Sequence, residues 1–98
     1  MIFWIDKNHK KYFKKEINDT YLMKIAKALT RGNGNSYFVN DRVIQEVMEE
    51  CFNRGLITSE KAFDMIEKAR YAFEKRNSYE YNRIKAEIEY EERVYGLD

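Results

Sequence analysis

Proline is absent from all 98 residues of this chain, and glycine occurs only four times. Without proline there is no cis-prolyl folding step, and few loops are expected between helices. A single cysteine, Cys51, excludes an intrachain disulfide and fits a reducing compartment. With one histidine, His9, beside that one thiol, no multi-histidine or Cys/His metal site can be assembled. No apolar run approaches the ~20 residues that cross a bilayer. Met1-Ile2-Phe3-Trp4-Ile5 is too short for a signal peptide and is followed by charge, so a cytoplasmic location is expected. Also missing is any catalytic signature. Arg31-Gly32-Asn33-Gly34-Asn35-Ser36 lacks the spacing of a phosphate-cradling loop and reads as a connector. No Ser-His-Asp or Cys-His set is apparent. The pairs Glu49-Glu50 and Glu91-Glu92 would point about 100° apart on a helix and so belong to solvated faces. A non-enzymatic protein without a cofactor is expected.

What is present argues for one folded domain spanning 1–98. Apolar residues make up 44% and aromatics 15%, too much for a disordered chain. The net charge of +1 hides an asymmetry. Residues 1–31 hold eight Lys/Arg against Asp6, Glu16 and Asp19, a balance of +5, which leaves −4 for the remainder. Such a split marks an interaction surface.

The pattern divides into a hairpin (1–16), a helical core (17–56) and a long C-terminal helical segment (57–98). Ile2-Phe3-Trp4-Ile5 is β-prone, Asn8 suits a left-handed turn position, and Lys11-Tyr12-Phe13-Lys14 returns as a second strand. A first helix begins at Asn18 or Asp19, buries Tyr21, Leu22, Ile25, Ala26 and Leu29, and stops at Gly32. Tyr37-Phe38-Val39 reads as a short strand or a hydrophobic staple. A second helix, capped by Asn40 or Asp41, carries the stripe Val43, Ile44, Val47, Met48, Cys51 and Phe52 and ends at Gly55. Cys51 therefore reads as a core thiol rather than a nucleophile. The expected class is mainly α (α+β): a two-stranded hairpin, two medium helices, and a long C-terminal helix or helical hairpin. Its core is Phe3 or Trp4, Leu22, Ile25, Leu29, Ile44, Val47, Met48, Phe52, Phe63, Ile66 and Phe73.

Residues 59 to 95 contain neither Gly nor Pro, and Thr58 or Ser59 is the expected start of their helix. Ala62, Phe73, Ile84 and Tyr95 lie eleven apart, with Ile66 and Ile88 in register. Eleven residues in three turns keeps such a stripe on one face. One helix of that length would be roughly 55 Å long, beyond a domain whose radius of gyration is about 13 Å. A break at Asn77-Ser78 is the rival reading.

Two surfaces emerge. Tyr79, Tyr81, Glu87, Tyr90 and Glu91 combine amphipathic rings with negative charge, as a protein-binding helix facing a basic partner would. Lys10, Lys11, Tyr12, Lys14 and Lys15 interleave bases with an aromatic, as a single-stranded nucleic-acid site would. The competing reading of the lysines is a guard against edge-to-edge strand pairing. Self-association of the C-terminal stripe into a homodimer is a third expectation.

The residues Trp4-Ile5-Asp6-Lys7-Asn8-His9-Lys10-Lys11-Tyr12, then Ile17-Asn18-Asp19-Thr20-Tyr21-Leu22 with Ile25 and Leu29, and Glu50-Cys51-Phe52-Asn53-Arg54-Gly55-Leu56 carry a resemblance. Over residues 3–56 the chain resembles small bacteriophage- and prophage-encoded proteins that open with a Trp-containing β-hairpin followed by helices. It departs at His9, where Gly is usual, and after Leu56, where no counterpart is placed. The resemblance implies a hairpin-then-helix fold and a phage origin, and it implies no reaction. By analogy, a phage-encoded inhibitor that binds a host defence protein, in the manner of an anti-CRISPR, is the expected function.

Overall fold

The computed structural model describes residues 1–75. The expectations for 76–98, including the choice between one helix and a break at Asn77-Ser78, lie outside those residues. The described part is mainly helical: an N-terminal antiparallel hairpin followed by three helices.

The hairpin pairs β1 (Trp4–Ile5) with β2 (Lys11–Tyr12), in register Trp4 to Tyr12 and Ile5 to Lys11. The strands are shorter than the β-prone runs suggest, because the chain turns at both ends. At the tip, the His9 amide donates to the Asp6 carbonyl (3.0 Å), and His9 takes φ 65°. This is a tight turn followed by one left-handed residue. The left-handed position is therefore His9 and not Asn8. Asp6 Oδ1 accepts from the amides of Asn8 and Lys10, both at 2.9 Å, and holds the turn without help from glycine. Beyond Tyr12, the Glu16 carboxylate accepts from the Phe13 amide (2.9 Å) and folds Lys14–Glu16 into one 3₁₀ turn, which ends the strand.

Helix α1 (Asp19–Thr30) starts where the Asn18 side chain accepts from the Tyr21 amide (2.8 Å). It stops at Gly32 (φ 76°), with Asn33 donating to the Ala28 carbonyl (2.9 Å). A side chain at Gly32 would also press on Ala72 of the third helix, so the turn doubles as a close helix contact. Helix α2 (Asp41–Asn53) repeats the scheme. Asn40 caps the Val43 amide (2.9 Å), Gly55 takes φ 73°, and the Leu56 amide donates to the Cys51 carbonyl (2.9 Å). Helix α3 runs from 59 through 75, with the Thr58 hydroxyl accepting from the Lys61 amide (3.1 Å).

The three helices bury Leu22, Ile25, Ala26 and Leu29 against Val43, Ile44, Val47, Met48 and Cys51, with Met65, Ala69 and Phe73 closing the third side. Phe3, Trp4 and Ile17 bring the hairpin onto this core. Three expected core residues are not in the buried cluster: Phe52 is 46% and Phe63 66% exposed, and Ile66 is partly buried against it. The inward face of α3 is Met65–Ala69–Phe73, and a residue two positions from Met65 points about 200° away at 3.6 residues per turn. Tyr37-Phe38-Val39 is not a strand either. Phe38 and Val39 both donate to the Asn35 carbonyl in a turn that sets Phe38 edge-on to Trp4 at 5.8 Å.

Arg54 ties these pieces together. Its guanidinium donates to Glu50 Oε2 (2.8 Å), Asp19 Oδ1 (3.1 Å) and the carbonyls of Ile17 (2.7 Å) and Lys14 (3.1 Å). Charge-assisted bonds to groups left unpaired without it predict that Arg54→Met costs about 2–3 kcal/mol of unfolding free energy in urea titration. Arg54→Lys should recover only part, because an ammonium cannot reproduce the planar fork. Replacing His9 by Gly should stabilise the fold by about 0.5–1 kcal/mol, since the position is left-handed. Asn8→Gly, at a residue without positive φ, should give no such gain in the same titration.

Candidate functional site

The five residues expected to contact a protein partner, Tyr79, Tyr81, Glu87, Tyr90 and Glu91, lie outside the described residues. The five of the basic hairpin are described, and they do not form one open surface. Lys10 Nζ sits 5.0 Å above the Tyr12 ring, whose other neighbour is Tyr21 at 5.4 Å. The Tyr12 hydroxyl reaches Asp6 Oδ2 (3.3 Å), so the half-buried ring braces the turn. Burial pushes the Tyr21 hydroxyl above its ordinary pKa, and the neighbouring Tyr12 adds to it. Lys14 Nζ lies 3.9 Å from Glu50 and 5.6 Å from the Phe3 ring centre. Lys11 and Lys15 are exposed, with no ion pair among the described residues.

Two other surfaces are assembled by the fold. The first is a groove of about 410 Å³ between α2 and α3, floored by Phe52, Ala62, Phe63 and Ile66 and rimmed by Glu49 and Arg70. Arg70 is held there by a two-pronged bond to Asp41, 2.9 Å on its longer arm, which also fastens α3 to the start of α2. The sequence pattern hid this groove, because Phe52 and Phe63 fit the apolar stripes equally well as core. The available signal was Met65, four residues before Ala69, which competes with Ile66 for the inward position.

The second is the junction of the hairpin tip with the α1–α2 loop. Asn35 is buried, its Nδ2 donating to the Asp6 carbonyl (3.0 Å) and its Oδ1 accepting from the Tyr37 amide (2.9 Å). The loop is thus pinned to the turn, and Tyr37 is left 94% exposed beside Lys7 and His9. Gly34 fits beneath because an added Cβ would come within 2.9 Å of Val39.

Among the described residues no cluster of His, Cys, Asp and Glu could hold a metal ion, and no helix is long and apolar enough to cross a membrane. Cys51 is fully buried, and burial pushes its thiol up to about 11, so it stays protonated and inert at neutral pH.

Removing the Asn35 amide leaves the Tyr37 amide without a partner and the Asp6 carbonyl with the His9 amide alone. Asn35→Ala should therefore cost about 1–3 kcal/mol in the urea midpoint analysis. Asn35→Asp should cost at least as much at neutral pH, because it buries a carboxylate where a donor is needed. No family model, curated protein or solved structure matches this chain.

Proposed function

We propose that this chain is a non-enzymatic protein-binding module. The observation that carries the proposal is the pair of aromatic rings, Phe52 and Phe63, left 46% and 66% exposed in one groove on a folded helical scaffold. Burying a Phe side chain gains about 1.5–3 kcal/mol, so a partner that covers both rings has a substantial apolar anchor. Aromatic anchors inside a polar rim are the usual centre of a protein interface, and Glu49 and Arg70 supply that rim. The sequence adds Tyr79, Tyr81, Glu87, Tyr90 and Glu91 as further contacts, whose carboxylates suit a basic partner.

The resemblance to phage proteins supplies the proposed setting, a host cytoplasm in which the partner is a defence protein that handles nucleic acid. Inhibition would follow from occupying that partner's basic groove. Pairing of two copies through the C-terminal segment is the alternative use of the same apolar and Tyr-rich surfaces.

A tagged chain should retain a specific protein from host lysate. Phe52→Ser/Phe63→Ser and Glu87→Lys/Glu91→Lys should each lose that protein while keeping the parent's thermal midpoint. The same retained set for parent and both variants would refute the site. Light scattering separates the alternative: a monomer across the accessible concentration range excludes self-pairing, whereas a dimer abolished by Phe63→Ser replaces the foreign partner with a second copy.

A further inference from the structure

We propose that the junction of hairpin tip, α1 and α1–α2 loop is a binding site for single-stranded nucleic acid. The contacts are Lys7, Lys24 and Arg31 to phosphates and Tyr37 to a base. These are not the lysines the sequence pattern singles out. The hairpin sets Lys7 beside Lys24 of α1, and Asn35 pins the loop that carries Tyr37 to the Asp6 turn beside Lys7.

The first observation is the distribution of ion pairs. Among the described residues from 41 to 75 all cations but Lys75 are matched: Arg42 with Glu46 (3.0 Å), Arg70 with Asp41, Arg54 with Glu50 and Asp19, and Lys61 and Lys68 with Asp64 (3.8 and 3.0 Å). Lys7, Lys24, Lys27 and Arg31 have no ion pair among the described residues. Residues 20–40 contain no Asp or Glu at all. Among the described residues the carboxylate nearby is Asp6, which accepts two amides and the Tyr12 hydroxyl. Among the described residues these four cations outnumber the Asp6 carboxylate, which leaves a net positive charge at this junction.

The second observation is shape. Lys7 and Lys24 flank a depression of about 350 Å³ whose wall includes Asp6, Tyr21, Ala28 and Asn33. Arg31 continues the same α1 face seven residues on, about 10.5 Å along the axis. On the other side of Lys7 stands Tyr37, its ring almost wholly in water. Cations spaced along a concave path with one free ring beside them match the way single strands are held, by phosphate neutralisation and base stacking. A duplex conceals its base faces, an acidic peptide has no use for the ring, and a membrane surface would require an apolar helix face that α1 turns inward.

The site shares no lining residue with the α2–α3 groove and goes beyond the protein-binding proposal. The test is fluorescence anisotropy of the full chain with labelled twelve-nucleotide oligo-dT and oligo-rU at 50 and 200 mM salt. Binding should weaken with salt with a log–log slope near −2, about −0.7 for each of three phosphates. Lys7→Ala/Lys24→Ala/Arg31→Ala should flatten that slope towards zero. Tyr37→Ala, whose ring touches too little to affect folding, should weaken binding about ten-fold with the slope unchanged. Lys61→Ala/Lys68→Ala and Phe52→Ser/Phe63→Ser should bind as the parent does. Any of four results would overturn the site: no oligonucleotide binding at 50 mM salt, a silent Tyr37→Ala, loss on Lys10→Ala/Lys11→Ala/Lys15→Ala instead of the triple variant, or equal binding to polyglutamate or anionic vesicles.

Discussion

The guanidinium of Arg54 gathers four oxygens from the 3₁₀ turn, the start of α1 and the end of α2. Two are backbone carbonyls just before α1, one is the Asp19 carboxylate in its first turn, and one is Glu50 a turn back on α2. The carbonyls of Lys14 and Ile17 lie where the chain leaves the hairpin in a single 3₁₀ turn, and a half-buried cation is a better partner for them than intermittent water. Because Arg54 is also the residue at which α2 ends, the same contact sets where α2 stops relative to where α1 begins. The packing of Leu22 and Ile25 on Met48 and Cys51 presupposes that alignment. The soft run Glu50 to Leu56 that carried the resemblance thus has a physical content: a carboxylate to orient the arginine, the arginine itself, a left-handed glycine, and a leucine folding back over the helix end.

Much of this was legible because it is local. Asn18, Asn40 and Thr58 cap the helices they precede, and Gly32 and Gly55 end them through bonds that span five residues. The α2 stripe from Val43 to Cys51 is buried as its period requires. What escaped depends on contacts distant in sequence. Whether Met65 or Phe63 faces inward is decided by how α3 rolls against helices twenty to forty residues earlier, and the 3.6-residue period tolerates either. Asn35 looked like part of a polar loop, yet it is buried because its partner, the Asp6 carbonyl, is 29 residues away. His9 in the left-handed position runs against steric preference and is bearable because Asp6 closes the turn with its side chain.

The site residues divide along the same line. Lys10, Tyr12 and Lys14 are basic and aromatic in sequence, but the fold spends them on each other and on Glu50. Lys7 and Arg31 entered the sequence reading with the hairpin and the connector loop, and Lys24 only with the charge imbalance, yet all three are among the cations without an ion pair in the described residues. A sequence displays which charges exist; only the tertiary arrangement displays which remain unmatched.

That distinction bears on what kind of molecule this is. A helical domain of this size could mix its charges over the whole surface, as α3 does around Asp64. Instead Lys7, Lys24, Lys27 and Arg31 make no ion pair among the described residues, while from 41 to 75 all cations but Lys75 are paired, around two exposed rings. Concentrating like charge raises the energy of the free protein, and leaving rings in water forgoes apolar burial, so each surface sits above its own minimum until something covers it. The two deficits call for chemically different occupants, an anion for one and an apolar surface for the other. One ligand of a single character would relieve only one of them. A protein that already carries a single strand has both, and the two proposed sites are compatible because they draw on no residue in common.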